Sequence, residues 1–205
     1  MKKIKTMAVS FVSALAMACL LLTSLPTDVR AASGTGTEED PVIAKTYEDL
    51  YGYLGRENYD NWDGELYIKL GADIESNDKT NDYNFRMYSS KYHEVHLDLA
   101  GHKLSRIART TDTDMFDVNA NSKLIIDDSV GGGSVVSNLD AGNVWTHTIG
   151  AHQGGQLEIN GGSFTSLQEK HAYGEFVIFS YENGRIVING GTFSGYHPLE
   201  QDDVY

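Results

Sequence analysis

The sequence predicts an all-β solenoid, a right-handed parallel β-helix closed by a short N-terminal helix. Two observations carry this. Leu157-Glu158-Ile159-Asn160-Gly161-Gly162-Ser163-Phe164 returns 29 residues later as Ile186-Val187-Ile188-Asn189-Gly190-Gly191-Thr192-Phe193. A period of a few tens of residues marks stacked units that bury their apolar faces only against one another. Fainter copies stand upstream: Leu124-Ile125-Ile126-Asp127-Asp128 followed by Val135, and Leu97-Asp98-Leu99-Ala100-Gly101 followed by Leu104. Phe116, Ile149 and Ile178 each stand 8 residues ahead of the phrase in the last three copies. Aligned this way, Leu97, Leu124, Leu157 and Ile186 are equivalent, at spacings of 27, 33 and 29.

The elements follow in order. Lys2, Lys3 and Lys5, an apolar run from Met7 to Leu22 and the small residues around Val29-Arg30-Ala31 have the layout of a secretory signal peptide, cleaved after Ala31. Residues 32–44 read as a flexible, Gly-rich linker, and residues 45–205 as a single β-helix domain with rungs over about 65–195. Thr46 and Asp49 form a capping box, and Tyr47, Leu50, Tyr51 and Leu54 share one helical face, so a cap helix is expected over 46–54, ended by Gly55. Glu65 to Leu70 alternates as a strand, and the polar stretch 73–92 reads as a loop.

Within the repeated phrase the first and third residues point inward. Leu124, Leu157 and Ile186 should therefore stack, with Ile126, Ile159 and Ile188 beside them. Leu104, Val135, Phe164 and Phe193 form a second apolar column. Asp98, Ile125, Glu158 and Val187 are expected on one outward column, and Lys123, Gln156 and Arg185 on its neighbour. Asn160 and Asn189 are expected at a corner of positive φ, where stacked amides can also bond from rung to rung. After Phe193 the tail from Ser194 is expected to fold across the last rung, leaving a monomer or a weak end-to-end dimer.

Charge narrows the partners. The chain carries 16 basic and 29 acidic residues, a net charge of −13. Loss of residues 1–31 removes four basic residues and one acid, giving −16, and removes the only cysteine, Cys19. Nucleic acid and anionic lipid are excluded as electrostatic partners, and no membrane insertion is expected after signal cleavage. Disulfides, a thiol nucleophile and cysteine-based zinc sites are excluded from the mature chain.

The Ile-x-Ile-Asn-Gly-Gly-x-Phe phrase, with Leu97-Asp98-Leu99-Ala100-Gly101-His102-Lys103-Leu104 upstream and a helix-plus-strand cap before it, resembles the pectin-lyase-like superfamily of parallel β-helix proteins. It looks closest to exported bacterial surface modules. The resemblance covers residues 43–195 and implies a fold; it carries over no catalytic residue. Asp127-Asp128 is a lone Asp-Asp pair, Gly101-His102 lacks the second glycine, and the Asn-Thr-Asp and Arg-Ile-Lys signatures of polygalacturonases are absent. Cleavage of pectate or polygalacturonate is therefore not expected.

Three groups remain as candidate sites. Trp62 and Trp145 offer flat faces for stacking a polymer. Asp112, Asp114, Asp117, Asp127 and Asp128 are candidates for a calcium ion, a hard cation that takes carboxylates. His93 and His96 are close in sequence but fall on opposite faces of a strand, which argues against a shared metal. The expectation is a secreted or cell-surface module, non-enzymatic, binding polysaccharide or a protein partner with no cofactor beyond calcium. A polysaccharide lyase or other carbohydrate-active enzyme is the alternative, and a shortened fragment of a longer adhesin the third reading. A groove that brings a carboxylate and a base to one point would favour the enzyme; aromatic and neutral groups alone would favour the binder.

Overall fold

In the computed structural model residues 33–56, 58–76, 84–109, 114–140, 146–167 and 175–201 are described. They form a parallel β-solenoid. Strands β1 (Val42–Ala44), β2 (Gly64–Leu70), β5 (His93–Asp98), β8 (Ser122–Asp127), β11 (Gln156–Ile159) and β14 (Arg185–Ile188) make the first sheet. The second holds β3 (Ile74–Ser76), β6 (Lys103–Arg109), β9 (Ser134–Asp140), β12 (Ser163–Ser166) and β15 (Thr192–Ser194). The third holds β4 (Phe85–Met87), β7 (Phe116–Val118), β10 (Thr146–His152), β13 (Glu175–Tyr181) and β16 (His197–Gln201). The chain visits the three sheets in the same order on every turn, so β14 lies four turns beyond β2.

Each turn sets its side chains above those of the turn before. Leu124, Leu157 and Ile186 are register partners, as are Ile126, Ile159 and Ile188. Leu104, Val135, Phe164 and Phe193 form the second column, and Phe116, Ile149 and Ile178 the third. These residues are buried up to the last turn, where Ile186 and Phe193 are half-buried and Ile188 is 41 % exposed. Lys123, Gln156 and Arg185 stack outside, with Lys123 bridging Glu94 and Glu158 at 3.4 and 3.3 Å.

The degraded upstream copy is displaced by two residues from its expected alignment. Val95, not Leu97, lies beside Leu124, and Leu97 lies beside Ile126. His96 therefore joins the outward column of Ile125, Glu158 and Val187, while Asp98 stands beside Asp127. A two-residue slip keeps every side chain on its own face, so the apolar pattern alone cannot detect it.

The corner is also built differently. Gly162 and Gly191, at φ 92° and 98°, make the left-handed turn, while Asn160 and Asn189 are not among the residues of positive φ. The asparagines instead form a ladder: Asn189 Nδ2 donates to Asn160 Oδ1 at 2.7 Å, and Asn160 Nδ2 to Asp127 Oδ1 at 2.9 Å.

At the N-terminal end, helix α1 (Tyr47–Leu54) has the expected capping box: Asp49 N–H donates to Thr46 Oγ1 and Thr46 N–H to Asp49 Oδ2, at 3.1 and 3.0 Å. Tyr47, Leu50 and Leu54 are buried, and Tyr47 stacks on Phe85 at 4.7 Å. Two stretches are more ordered than expected. Val42–Ala44, read as linker, pairs with β2, and the loop read over 73–92 contains β3 and β4. These three-residue strands are too short to show an alternation of their own. Nor does the tail cross the last rung: β16 pairs in parallel with β13 and continues the third sheet. Pro198 falls in this edge strand, where a missing N–H costs least.

Beneath the cap, His93 is fully buried, edge-on to Trp62 at 4.4 Å and 4.9 Å from Tyr59. Neither ring nitrogen finds a hydrogen bond among the described residues. Burial lowers its pKa below the ordinary 6.5, against the pull of Asp60 and Asp63, with Lys91 adding to the lowering.

Two outcomes follow from this packing. Ile159→Ala empties a fully buried site and should cost about 2–5 kcal/mol in a urea melt. His93 binds a proton more weakly folded than unfolded, so its contribution is whole above pH 6.5 and declines as pH falls below it. His93→Phe keeps the ring and removes the charge, and should flatten thermal stability over that window; an unchanged pH profile would contradict this.

Candidate functional site

The third sheet carries a concavity where two carboxylates, an arginine and two imidazoles meet. Its outward column runs Arg86, Asp117, Gly150 and Phe179 over consecutive turns. Ordinary alternation breaks at the start of β10 and β13. Thr148 and Ile149 are both buried, as are Val177 and Ile178, and Val177 and Ile178 both join the core. His147 is thereby freed from the core column. Its ring lies flat on Phe179 at 4.3 Å and an interplanar angle of 4°, and Phe176 packs beside them.

Asp114, just before β7, lies under this stack and is only 6 % exposed. One oxygen, Oδ1, meets His147 Nδ1 at 2.6 Å and accepts the His147 backbone N–H at 3.1 Å. The other, Oδ2, meets His152 Nε2 at 2.7 Å. With Nδ1 as donor, His147 keeps a lone pair on Nε2, which has no partner among the described residues. Gly150 makes the contact sterically feasible, since a Cβ there would stand 2.0 Å from Asp114 Oδ2 and 2.1 Å from His152 Nε2.

Asp117 completes the group. Arg86 Nε approaches it at 3.3 Å, Asn119 Nδ2 donates to Oδ1 at 2.6 Å, and His152 Nε2 lies 4.0 Å from Oδ1. With Asn84, Gln153, Tyr181 and Glu182, these residues line an open groove of about 310 Å³. The two carboxyls are pushed apart. Burial opposes ionisation of Asp114, but the charge and hydrogen bonds of His147 and His152 outweigh it and hold that carboxyl well below the usual range. Burial and the nearby Asp114 charge push Asp117 up. Burial works against protonating His152, yet the hydrogen bond and charge of Asp114, with Asp117 and Glu182, raise its pKa above 6.5.

The residues singled out from sequence distribute as follows. Asp114 and Asp117 enter this groove; Asp127 and Asp128 line a different one, of about 490 Å³, over the first sheet; Asp112 lies outside the described residues. Asp114 and Asp117 thus line one groove and Asp127 and Asp128 another. Asp128 accepts the N–H groups of Gly101, Gly131 and Gly133 at 2.8, 3.2 and 2.8 Å and fastens a turn. Trp62 packs on the core cluster and donates Nε1–H to the Tyr53 carbonyl at 3.2 Å; Trp145 lies outside the described residues. His147 and His152 were not singled out from sequence. The signal was spacing: His147 follows Asp114 by 33 residues, the same turn length that separates Leu124 from Leu157.

The chain matches no family model, no curated protein and no solved structure.

Gly150→Ala tests that geometry. The added methyl must drive His152 off Asp114, so the hydrogen-bonded His152 imidazole proton should vanish from the NMR spectrum while the solenoid backbone signals persist. Retention of that proton would show that the contact does not depend on the bare glycine.

Proposed function

We propose that the protein is a secreted member of the pectin-lyase-like β-helix group and that it cleaves a neutral polysaccharide in the groove over the third sheet. The observation that supports this is the meeting of Asp117, Arg86 and the Asp114–His147–His152 cluster in one concavity. That combination separates an acid–base site from a purely aromatic binding face.

Roles follow from the contacts. Asp114 is enclosed by two imidazoles and serves as the fixed floor. Asp117, at the groove wall and steadied by Arg86 and Asn119, is the group placed to give a proton to the glycosidic oxygen as its bond to the anomeric carbon breaks, with water adding to that carbon and its proton returning to the carboxylate. Neutral substrate is favoured on charge. Asp114, Asp117 and Glu182 face the groove against a single arginine, on a chain of net charge −13. A polyuronate would be repelled, and this argues against the lyase form of the enzyme reading.

A non-catalytic module is the second reading, favoured by the groove over the first sheet. There Tyr67 stacks on His96 at 4.1 Å beside Lys69 and Asp98. Incubation with neutral hexose, pentose and amino-sugar polymers, and with polygalacturonate, separates the two. New reducing ends are expected from a neutral polymer, and Asp117→Asn should lower turnover by about 10²–10⁴-fold with an unchanged melting temperature. Retardation of the protein by a polymer in an affinity gel, with no new ends from any of them, would establish the binding module instead.

A further inference from the structure

We propose that Asp114, His147 and His152 bind a first-row divalent cation of the zinc class, through one carboxylate oxygen and two imidazole nitrogens. The three donor atoms lie within 4.8 Å of one another. A shared ion about 2.1 Å from each needs them within about 4 Å, a closure of less than about 1 Å. Imidazole selects zinc, iron, cobalt or nickel over the oxygen-seeking calcium and magnesium. The donor set therefore replaces the calcium expectation with a different metal class.

Three features point to an ion rather than to a hydrogen-bonded triad alone. The Asp114 carboxylate is buried and meets one ring nitrogen of each imidazole, at 2.6 Å and 2.7 Å, so a carboxylate oxygen and two nitrogens already converge away from bulk water. Asp117 and Glu182 add negative charge in the same groove, against Arg86 alone. The donors are also held by the outer contacts that metal ligands need: Phe179 fixes the His147 ring, and the His147 N–H fixes Asp114 Oδ1. The three donors line an open groove, so a fourth ligand can come from solvent or from Asp117, whose Oδ1 lies 4.0 Å from His152 Nε2. This site stands whether or not a glycan is the substrate.

Calorimetric titration of the purified, chelator-treated chain with zinc chloride tests it. One equivalent should bind, Co²⁺ should give the visible bands of nitrogen and oxygen ligation, and calcium chloride should bind at least about a hundredfold more weakly. His152→Gln, at the half-buried edge, should weaken zinc by at least about a hundredfold, more than loss of an outer-shell partner does. His96→Gln in the other groove should leave it unchanged. Asp114→Asn serves as a second variant, and melting temperature, raised by zinc in the wild type but not in either variant, guards against misfolding. Failure of the folded wild type to bind zinc or cobalt, or binding that survives both variants, would overturn the site. Because the readout is metal rather than product, that failure is distinguishable from failure of the glycan experiment.

Discussion

In-register parallel pairing between successive turns is the constraint on which the rest of this structure depends. A parallel solenoid has no long loop to hide an apolar face; each turn buries its face only against its neighbours. Leu157 is covered because Leu124 lies on one side and Ile186 on the other. The asparagine ladder at the corner obeys the same register, with Asn160 bonded to Asp127 one turn back and Asn189 one turn on. The two ends reveal the rule by its exceptions. Helix α1 covers Phe85 where the sheet has no earlier strand among the described residues, whereas Ile188, with no further strand of the first sheet beside it among the described residues, is 41 % exposed.

The groove arises where that constraint is locally relaxed. Regular alternation in β10 would direct His147 inward with Ile149. Two consecutive inward residues, Thr148 and Ile149, release it, and Val177 and Ile178 repeat the device one turn on. Thr148 carries a hydroxyl into the interior, satisfied by Ser137 at 2.6 Å. Gly150 then leaves the gap that two polar groups fill. A buried carboxylate, a buried imidazole and a half-buried imidazole would each be destabilising alone; placed together they satisfy one another.

Legibility from sequence divides along the same line. The regular columns were readable because aliphatic residues recur at a turn's spacing, and three of the four copies aligned correctly. The first copy slipped by two because strand side chains repeat every second residue, so Val95 and Leu97 are equally good inward residues. The short strands β3 and β4 were invisible, being three residues each and held by neighbours rather than by their own pattern. Asp114 and Asp117 could be named as polar residues near a turn, but not their partners. Nothing in the local sequence around His147 distinguishes it; only its 33-residue separation from Asp114, taken as a turn length, places the two together.

That separation also shows why such a site suits this architecture. Asp114 and Asp117 come from one turn, His147 and His152 from the next, and Tyr181 and Glu182 from the one after. Backbone pairing fixes these turns relative to one another, with Asp117 beside Gly150 and His152 beside Tyr181. Each functional group thus needs only a side-chain change at a position the ladder already holds. Relative placement comes from the hydrogen bonds of the sheet, so little conformational entropy remains to be lost when the groove takes up a ligand. The segments entering β7, β10 and β13 vary in length without altering that register, because the ladder and the stacked apolar columns beneath it, not the connections, define the geometry.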